Sequence, residues 1–349
     1  MSDLRNKKPV LYLEGKELND GWKVIKFIPK SSRSTGGNFS ESYIVERQNQ
    51  KAFLKALDFS NALRSPDFVN ELNKLTKEYL FEEELYEICK EKRMSKVVKI
   101  LGKGTIVPDK DGIIPVPYLI FELADGDIRH QIDFSEKIDI VWYLKILHNV
   151  ATGLKQMHYN GMAHQDIKPS NILVFGKELH KISDLGRSDS KDLDSPFKDF
   201  LIAGDPGYAP PEGLYGHVES EWIYRRQSCD VYLLGSLMVF LFTQMNMTAL
   251  IFKHLNPIYV YYSWHGTFEE VLPYLQDAFD NAVYEFMSYI EDDVLSHDLG
   301  FILKCLCNPN PKERGHPKSI SEIGSSLTLD RFVTIFARLY KTYEIKLIK

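Results

Sequence analysis

The stretch HQDIKPSNIL, residues 164–173, sets a histidine, an aspartate, a lysine and an asparagine within eight residues and then turns apolar through Ile172-Leu173-Val174-Phe175. Asp166 and Asn171 stand five apart, and Asp184 follows thirteen residues after Asn171 in Lys181-Ile182-Ser183-Asp184-Leu185-Gly186. A strand hairpin between them, turning at Gly176-Lys177-Glu178, would return Asp184 to the neighbourhood of Asn171. Hard oxygen ligands for a divalent cation, next to a carboxylate that can orient a hydroxyl, are the residue types phosphoryl transfer needs, because positioning and charge neutralisation supply most of its catalysis.

The 349 residues, 44% of them apolar, suffice for one large domain or two lobes with a substantial core. With 43 basic against 48 acidic side chains the net charge is -5, which gives no reason to expect nucleic acid or an anionic membrane as a partner. MSDLRNKKPV lacks the apolar core of a secretory signal, and the longest apolar run, Val231 to Phe242, is shorter than the roughly 18 residues of a membrane span. Cys89, Cys229, Cys305 and Cys307 contain no CxxC pair, so a reducing, cytoplasmic setting is expected. A zinc site on Cys305 and Cys307 with His297 or His316 lacks a second matched pair, and two small buried side chains are the simpler reading.

Organisation changes along the chain. Tyr43-Ile44-Val45 and Ala52-Phe53-Leu54, joined by Arg47-Gln48-Asn49-Gln50, read as a hairpin, and Phe68 to Lys92 reads as helix. Strand signals return at Lys96–Leu101, Gly104–Val107 and Tyr118–Leu123, with a turn at Pro108 to Gly112. Beyond Leu123 the pattern is mainly helical, so residues 1–123 and 124–349 are expected to form two lobes of an α+β protein. Ile140, Tyr143, Leu144, Leu147, Ala151 and Leu154 mark a long helix leading to residue 164, and Val231 to Thr243 marks a buried one. Phe332, Ile335, Phe336, Leu339 and Tyr343 form a last apolar stripe, read as core, with partner docking as the alternative.

From about residue 30 to residue 318 the chain resembles the eukaryotic-like serine/threonine protein kinases. His164-Gln165-Asp166-Ile167-Lys168-Pro169-Ser170-Asn171 is similar to their catalytic loop, Asp184-Leu185-Gly186 to their metal-binding DFG segment, and Gly204 to Glu212 to the end of their activation segment. The resemblance implies a two-lobed fold: a small antiparallel-sheet lobe with one helix of the αC type, and a larger helical lobe. It implies that Asp166 orients the substrate hydroxyl, Lys168 steadies the γ-phosphate, and Asn171 with Asp184 holds Mg²⁺. It further implies a pair between Glu212 and Arg314, and a brace on the catalytic loop from Asp230. ATP and Mg²⁺ are the implied cofactors and a protein the implied substrate, with a regulatory partner left open.

In the smaller lobe Ala52-Phe53-Leu54-Lys55 resembles the strand whose lysine contacts the α- and β-phosphates. Its partner is expected at Glu84, from the apolar Leu85 and Ile88 that follow, with Glu82, Glu83 and Glu87 as alternatives. Phe121 falls at the gatekeeper position, Glu122, Leu123 and Ala124 at the adenine-reading hinge, Asp127 within reach of the ribose, and Leu173 among the nucleotide contacts. Departures are equally specific. Thr35, Gly37 and Ser40 stand where three glycines cover the phosphates, with an additional Gly36 between the first two, so Gly36 and Gly37 alone supply that flexibility. Phe53 occupies a position usually held by alanine, and Asp205 replaces a threonine, which admits a nucleotide-binding scaffold without transfer as the alternative function. The diverged glycine loop and compact layout are similar to stand-alone bacterial members of the family. Gln165 replaces the arginine that many relatives pair with a phosphorylated activation segment. A neutral amide cannot make that charge-assisted pair, so activity is expected without phosphate on Ser188, Ser190 or Ser195.

Overall fold

The computed structural model describes residues 8–30, 40–60, 62–108, 114–132 and 139–348. The chain divides into two compact units, Met1–Asp125 and Gly126–Lys349. Unit 1 is built on a five-stranded antiparallel sheet of β1 (Lys23–Ile28), β2 (Ser40–Arg47), β3 (Gln50–Leu57), β4 (Ile100–Ile106) and β5 (Val116–Glu122), in the order β1-β2-β3-β5-β4. The β2–β3 hairpin turns on Gln48 and Asn49, both with positive φ (49° and 65°), and this closes Arg47 against Gln50. Such a turn matches the right-handed twist of the strands it joins. Where the sequence suggests two strands over 96–107 there is one, β4; a bulge at Leu101, between Ile100 and Gly102, shifts the register without ending the pairing with β5.

Period-two alternation sends Ala52, Leu54 and Ala56 to the buried face of β3 and leaves Phe53 and Lys55 together on the other, half-exposed face. The buried face meets Val24, Tyr43, Val45, Tyr118 and Ile120, and residues preceding the sheet cover it with Val10, Leu13, Leu18 and Trp22. Two hydrogen bonds pin that cover: Tyr43 Oη donates to the Val10 carbonyl at 2.5 Å, and the Asn19 amide donates to Tyr118 Oη at 3.1 Å. Helix α1 (Phe68–Glu91) presents Leu75, Tyr79, Glu82, Leu85, Tyr86 and Cys89 inward, and the Tyr86 ring lies 4.7 Å from that of Phe121 on β5.

Unit 2 opens with β6 (Gly126–Asp127), the short α2 (Ile128–Gln131) and the long α3 (Ile140–Tyr159). Asp139 caps α3 by accepting from the Trp142 amide, and the helix stops at Asn160 where Gly161 takes φ +67°. Four short strands follow: β7 (Met162–Ala163), β8 (Ile172–Phe175), β9 (Leu179–Ile182) and β10 (Asp189–Ser190). β8 pairs with β6 and β9, and β7 with β10, so both ends of the 164–171 stretch are held in ladders. Then come α4 (Pro211–Leu214), α5 (Ser228–Thr243), α6 (Met247–His254), α7 (Phe268–Ser288), α8 (Asp293–Cys307), α9 (Pro317–Ile323) and α10 (Asp330–Ile348).

Helix α5 is buried on nearly every face and packs on α8, where Cys305 and Cys307 are small interior side chains; the Cys307 thiol donates to the Tyr232 carbonyl at 3.3 Å. The last apolar stripe is core. α10 lies along α3 with Phe332 and Phe336 fully buried, and the buried Lys145 of α3 bridges Glu178 (2.6 Å) and Glu344 (2.8 Å). The apolar face that sequence alone could have assigned to a partner is therefore covered from within. Among the described residues no single helix is long and apolar enough to cross a membrane.

Candidate active site

In unit 1 the site residues converge on Lys55. Its ammonium lies 2.8 and 3.0 Å from the two carboxylate oxygens of Glu82, and both side chains are largely buried. The expected partner, Glu84, is instead exposed. Two positions on an α-helix are separated by about 200°, so Glu84 points away from the face that carries Leu75, Tyr79, Glu82 and Cys89. Glu83, on the flank, pairs with Lys103 at 2.7 Å. Phe53 and Phe121 are cross-strand partners on β3 and β5. Next to Phe121, Glu122 exchanges bonds with Lys99, its amide donating to the Lys99 carbonyl (3.1 Å) and its carboxylate accepting from the Lys99 amide (2.7 Å), while Leu123 is partly exposed. Gly36 and Gly37 lie outside the described residues.

In unit 2 the 164–171 stretch is built around Asp230. Although the aspartate sits in the first turn of α5, its carboxylate does not cap that helix: one oxygen accepts from the His164 amide and from His158, the other from the Gln165 amide, at 2.7, 2.9 and 2.7 Å. The loop needs such a fixed acceptor because Gln165 adopts φ +67°, a left-handed conformation disfavoured for side-chain-bearing residues. His164 closes the turn from the other side, with Nε2 2.9 Å from the Ser183 carbonyl.

Three donors hold the Asp166 carboxylate. The Asp205 amide donates to Oδ1 (2.9 Å), the Asn171 amide nitrogen donates to Oδ2 (3.0 Å), and Lys168 lies 3.0 Å from Oδ2. Gly204 makes the first of these possible, since a Cβ there would fall 2.2 Å from the Gln165 carbonyl. Because Asn171 also spends its nitrogen on the Asp166 carbonyl (2.8 Å), its Oδ1 is the end turned to other partners, with the Ser170 hydroxyl at 3.5 Å. Asp184 follows β9 with φ +60° and precedes the fully buried Leu185, so its carboxylate leaves the strand at a strained, fixed point. Leu173 is the cross-strand partner of Asp127, whose carboxylate caps α2 by accepting from the His130 amide and also contacts the His130 ring. Asp166, Asp205, Tyr208 and His217 line a pocket within unit 2.

Sequence reasoning noted Asp205 as a departure without seeing its work. Its amide positions Asp166, its Oδ2 lies 3.4 Å from Lys168, and its Oδ1 accepts from the Gly207 amide at 2.9 Å. Lys168 thus stands between two carboxylates. Burial pulls its pKa down, but Asp166 and Asp205 more than offset that, and the net shift is upward, so it stays charged. Burial raises the Asp166 carboxyl above the usual range, opposed by the Lys168 charge and the Asp205 amide. Were Asp166 to accept a proton as a base, it would have to be unprotonated, and a rate that depends on it would fall as pH drops through this raised pKa. Lys168→Met removes the opposing charge and is expected to move the acid limb of the kcat/KM profile to higher pH; an unmoved limb would show that the two groups are not coupled.

Two buried arginines complete the frame. Arg314 grips Glu212, as expected, through two 2.6 Å bonds. Arg226, which carried no signal in the sequence, contacts Gln165, Asp189 and the 197–200 backbone.

A strand lysine paired to a helix glutamate, followed by a braced loop of aspartate, lysine and asparagine and a strained aspartate after a short hairpin, defines the protein kinase class of fold. The sequence model of the protein kinase domain matches residues 37–323, and the chain belongs to that family. It is 28% identical over 228 residues to a probable serine/threonine-protein kinase of Dictyostelium discoideum, covering 64% of this chain and 22% of that protein. It is 30% identical over 132 residues to the serine/threonine-protein kinase PTK2/STK2 of Saccharomyces cerevisiae (34% of this chain, 15% of that protein). Over 226 residues it is 28% identical to wall-associated receptor kinase-like 1 of Arabidopsis thaliana (62% and 29%). The chain spans less than a third of the length of each of these relatives.

Proposed function

We propose that the chain transfers the γ-phosphate of ATP to serine or threonine hydroxyls of a protein substrate, with Mg²⁺ as the metal. The observation that carries this reading is the Asp166 carboxylate, fixed by Lys168, Asn171 and the Asp205 amide on a loop that Asp230 braces. Asp166 orients the incoming hydroxyl and accepts its proton, and Lys168 neutralises charge on the phosphate being transferred. Lys55, held by Glu82, takes the α- and β-phosphates. Asn171 Oδ1 and Asp184 would hold Mg²⁺, which fits the orientation of the Asn171 amide and a hard cation's preference for oxygen; bound there, the metal neutralises phosphate charge. The lysine two residues after Asp166 and the printed names of the relatives support the serine/threonine branch. Four cysteines without a disulfide support a reducing, cytoplasmic setting.

The test is incubation of the purified chain with γ-labelled ATP, Mg²⁺ and a generic protein substrate. Transfer to serine or threonine is expected. Nucleotide binding without transfer would instead favour a scaffold, with Phe53 on the Lys55 face as its cause. Lys55→Met is expected to lower transfer by about two orders of magnitude or more, the scale on which a lost electrostatic contact to a transferring group is felt. Lys51→Met, at the exposed start of β3, should leave it within about twofold; surface changes cost little. Equal effects of the two substitutions would rule out the assignment of Lys55.

A further inference from the structure

We propose that Arg226 is a positioning residue that holds the segment between Gly186 and Glu212 in its working conformation, doing from inside unit 2 what a phosphorylated side chain would otherwise do. This rests on the kinase reading of the site.

Arg226 is 1% exposed and sits in a π-helical turn, Ile223–Gln227, directly ahead of α5. Single π turns are rare and gather at functional positions. A buried guanidinium must satisfy its donors or destabilise the fold, and this one does so almost entirely on one segment. Nε lies 2.5 Å from the buried carboxylate of Asp189 on β10. One terminal nitrogen donates to the carbonyls of Phe197 (2.9 Å), Lys198 (3.0 Å) and Phe200 (3.2 Å), and the other to Gln165 Oε1 (3.4 Å). Gln165 answers by donating its amide nitrogen to the Arg226 carbonyl (2.8 Å) and to Asp230 (3.2 Å). The catalytic loop, β10, the 197–200 backbone and the start of α5 therefore share one cation.

This arrangement explains why a glutamine stands at 165. An arginine there would place a second guanidinium against Arg226 with Asp189 as the anion already engaged, whereas an amide accepts from Arg226 and donates to Asp230 at once. It also leaves the three candidate phosphate acceptors little to do. Ser188, Ser190 and Ser195 are buried, and each hydroxyl is engaged: Ser188 donates to the His164 carbonyl, Ser190 accepts from the Asp192 amide, and Ser195 accepts from the Phe197 amide. The mechanical link to chemistry is short. Residues 204 and 205, which close on Asp166, follow the anchored 197–200 stretch by a few residues, so releasing the anchor loosens the donor that positions the base.

The experiment compares the parent, the phosphatase-treated parent, Arg226→Lys and Arg226→Gln by amide hydrogen exchange and by steady-state kinetics. Lysine keeps the charge but loses the fork that reaches Asp189 and three carbonyls together. Exchange in peptides covering 195–205 is expected to rise about tenfold or more in both variants while α3 and α8 keep the parent's rates, because local opening is independent of global unfolding. kcat for a protein substrate should fall by about tenfold or more, with KM for ATP unchanged and phosphatase treatment without effect. Unchanged exchange in a folded Arg226→Lys protein would overturn the proposal. So would uniform acceleration across unit 2, which would make Arg226 merely structural, or a rise in 195–205 exchange on phosphatase treatment of the parent. If Arg226→Gln fails to fold, Asp189→Asn reads the same peptides while leaving the carbonyl contacts in place, and a smaller rise is expected there. Should the parent transfer no phosphate, the exchange measurements still decide the anchoring role, so the two readings fail separately.

Discussion

Asp166→Ala is expected to lower kcat for phosphate transfer by about 10²- to 10⁴-fold, the range a positioned general base supplies. The loss should fall on kcat rather than on nucleotide affinity, because Lys55 and Glu82 belong to unit 1 and keep their pairing when Asp166 is removed. Asp166→Asn sharpens the test. It preserves the size of the side chain, but an amide cannot accept a proton as a carboxylate does, so it should fall nearly as far as alanine. Asp184→Ala should also abolish transfer at ordinary Mg²⁺ while shifting the metal dependence upward, which separates a metal ligand from a base. Activity of Asp166→Asn within about tenfold of the parent would mean that Asp166 only shapes the loop.

What was legible in the chain follows from how locally each feature is encoded. Asp166, Lys168 and Asn171 lie within six residues of one another, and Asp184 is one hairpin away, so a single window displays them. The β2–β3 hairpin and α3 were equally plain, because a two-residue turn and a 3.6-residue repeat are local patterns. Glu82 was not. Four acidic residues crowd 82–87, and choosing among them requires knowing which face of α1 meets the sheet, a fact set by Tyr86 packing on Phe121 rather than by the apolar residues that follow. Arg226 and Asp205 were hidden for a different reason. Arg226 belongs to no chemical pattern in its own neighbourhood, and Asp205 stands out there only as a replaced threonine; Arg226 acts on residues 26 to 61 positions away, and Asp205 on Lys168 and Asp166, 37 and 39 positions away. The cover that residues 10–22 place on the sheet, and the brace of α10 on α3, are likewise long-range.

Charge satisfaction unites these features. The buried carboxylates and cations of unit 2 fall into sets that each tie a distant segment to the loop or to its frame: Asp230 to 164 and 165, Arg226 to 189 and 197–200, Arg314 to 212. Burying ions is costly relative to apolar packing of the same volume, so their value here lies in fixing which segments meet. That value has a consequence for how the protein fails. A deleted apolar side chain leaves a cavity, whereas a deleted counter-ion leaves a charge.

Glu212→Ala is therefore expected to be among the most destabilising single changes in unit 2. Arg314 is 0% exposed, and its guanidinium makes a bidentate pair with Glu212 at 2.6 Å on both arms. Its remaining bonds go to the Asn308 carbonyl (2.7 Å), the Ser228 hydroxyl (3.2 Å) and the Ser228 and Pro309 carbonyls (3.3 Å each), and it lies 4.8 Å from the Tyr232 ring. None of these neighbours carries a compensating negative charge. Removing one partner of a buried ion pair costs about 3–5 kcal/mol, a large part of the roughly 5–15 kcal/mol that holds a typical domain together. Urea unfolding should show the midpoint of unit 2 falling accordingly. The double replacement Glu212→Met with Arg314→Met discriminates between two origins of the loss. If the cost of the single change is the stranded cation, the double variant should recover much of the stability, since a well-packed apolar pair of similar volume is close to neutral. It should not recover transfer. The bidentate pair fixes the start of α4 immediately after the segment that carries Asp205, and two flexible thioethers cannot reproduce that geometry. Stability regained together with full activity would show that the pair contributes cohesion alone.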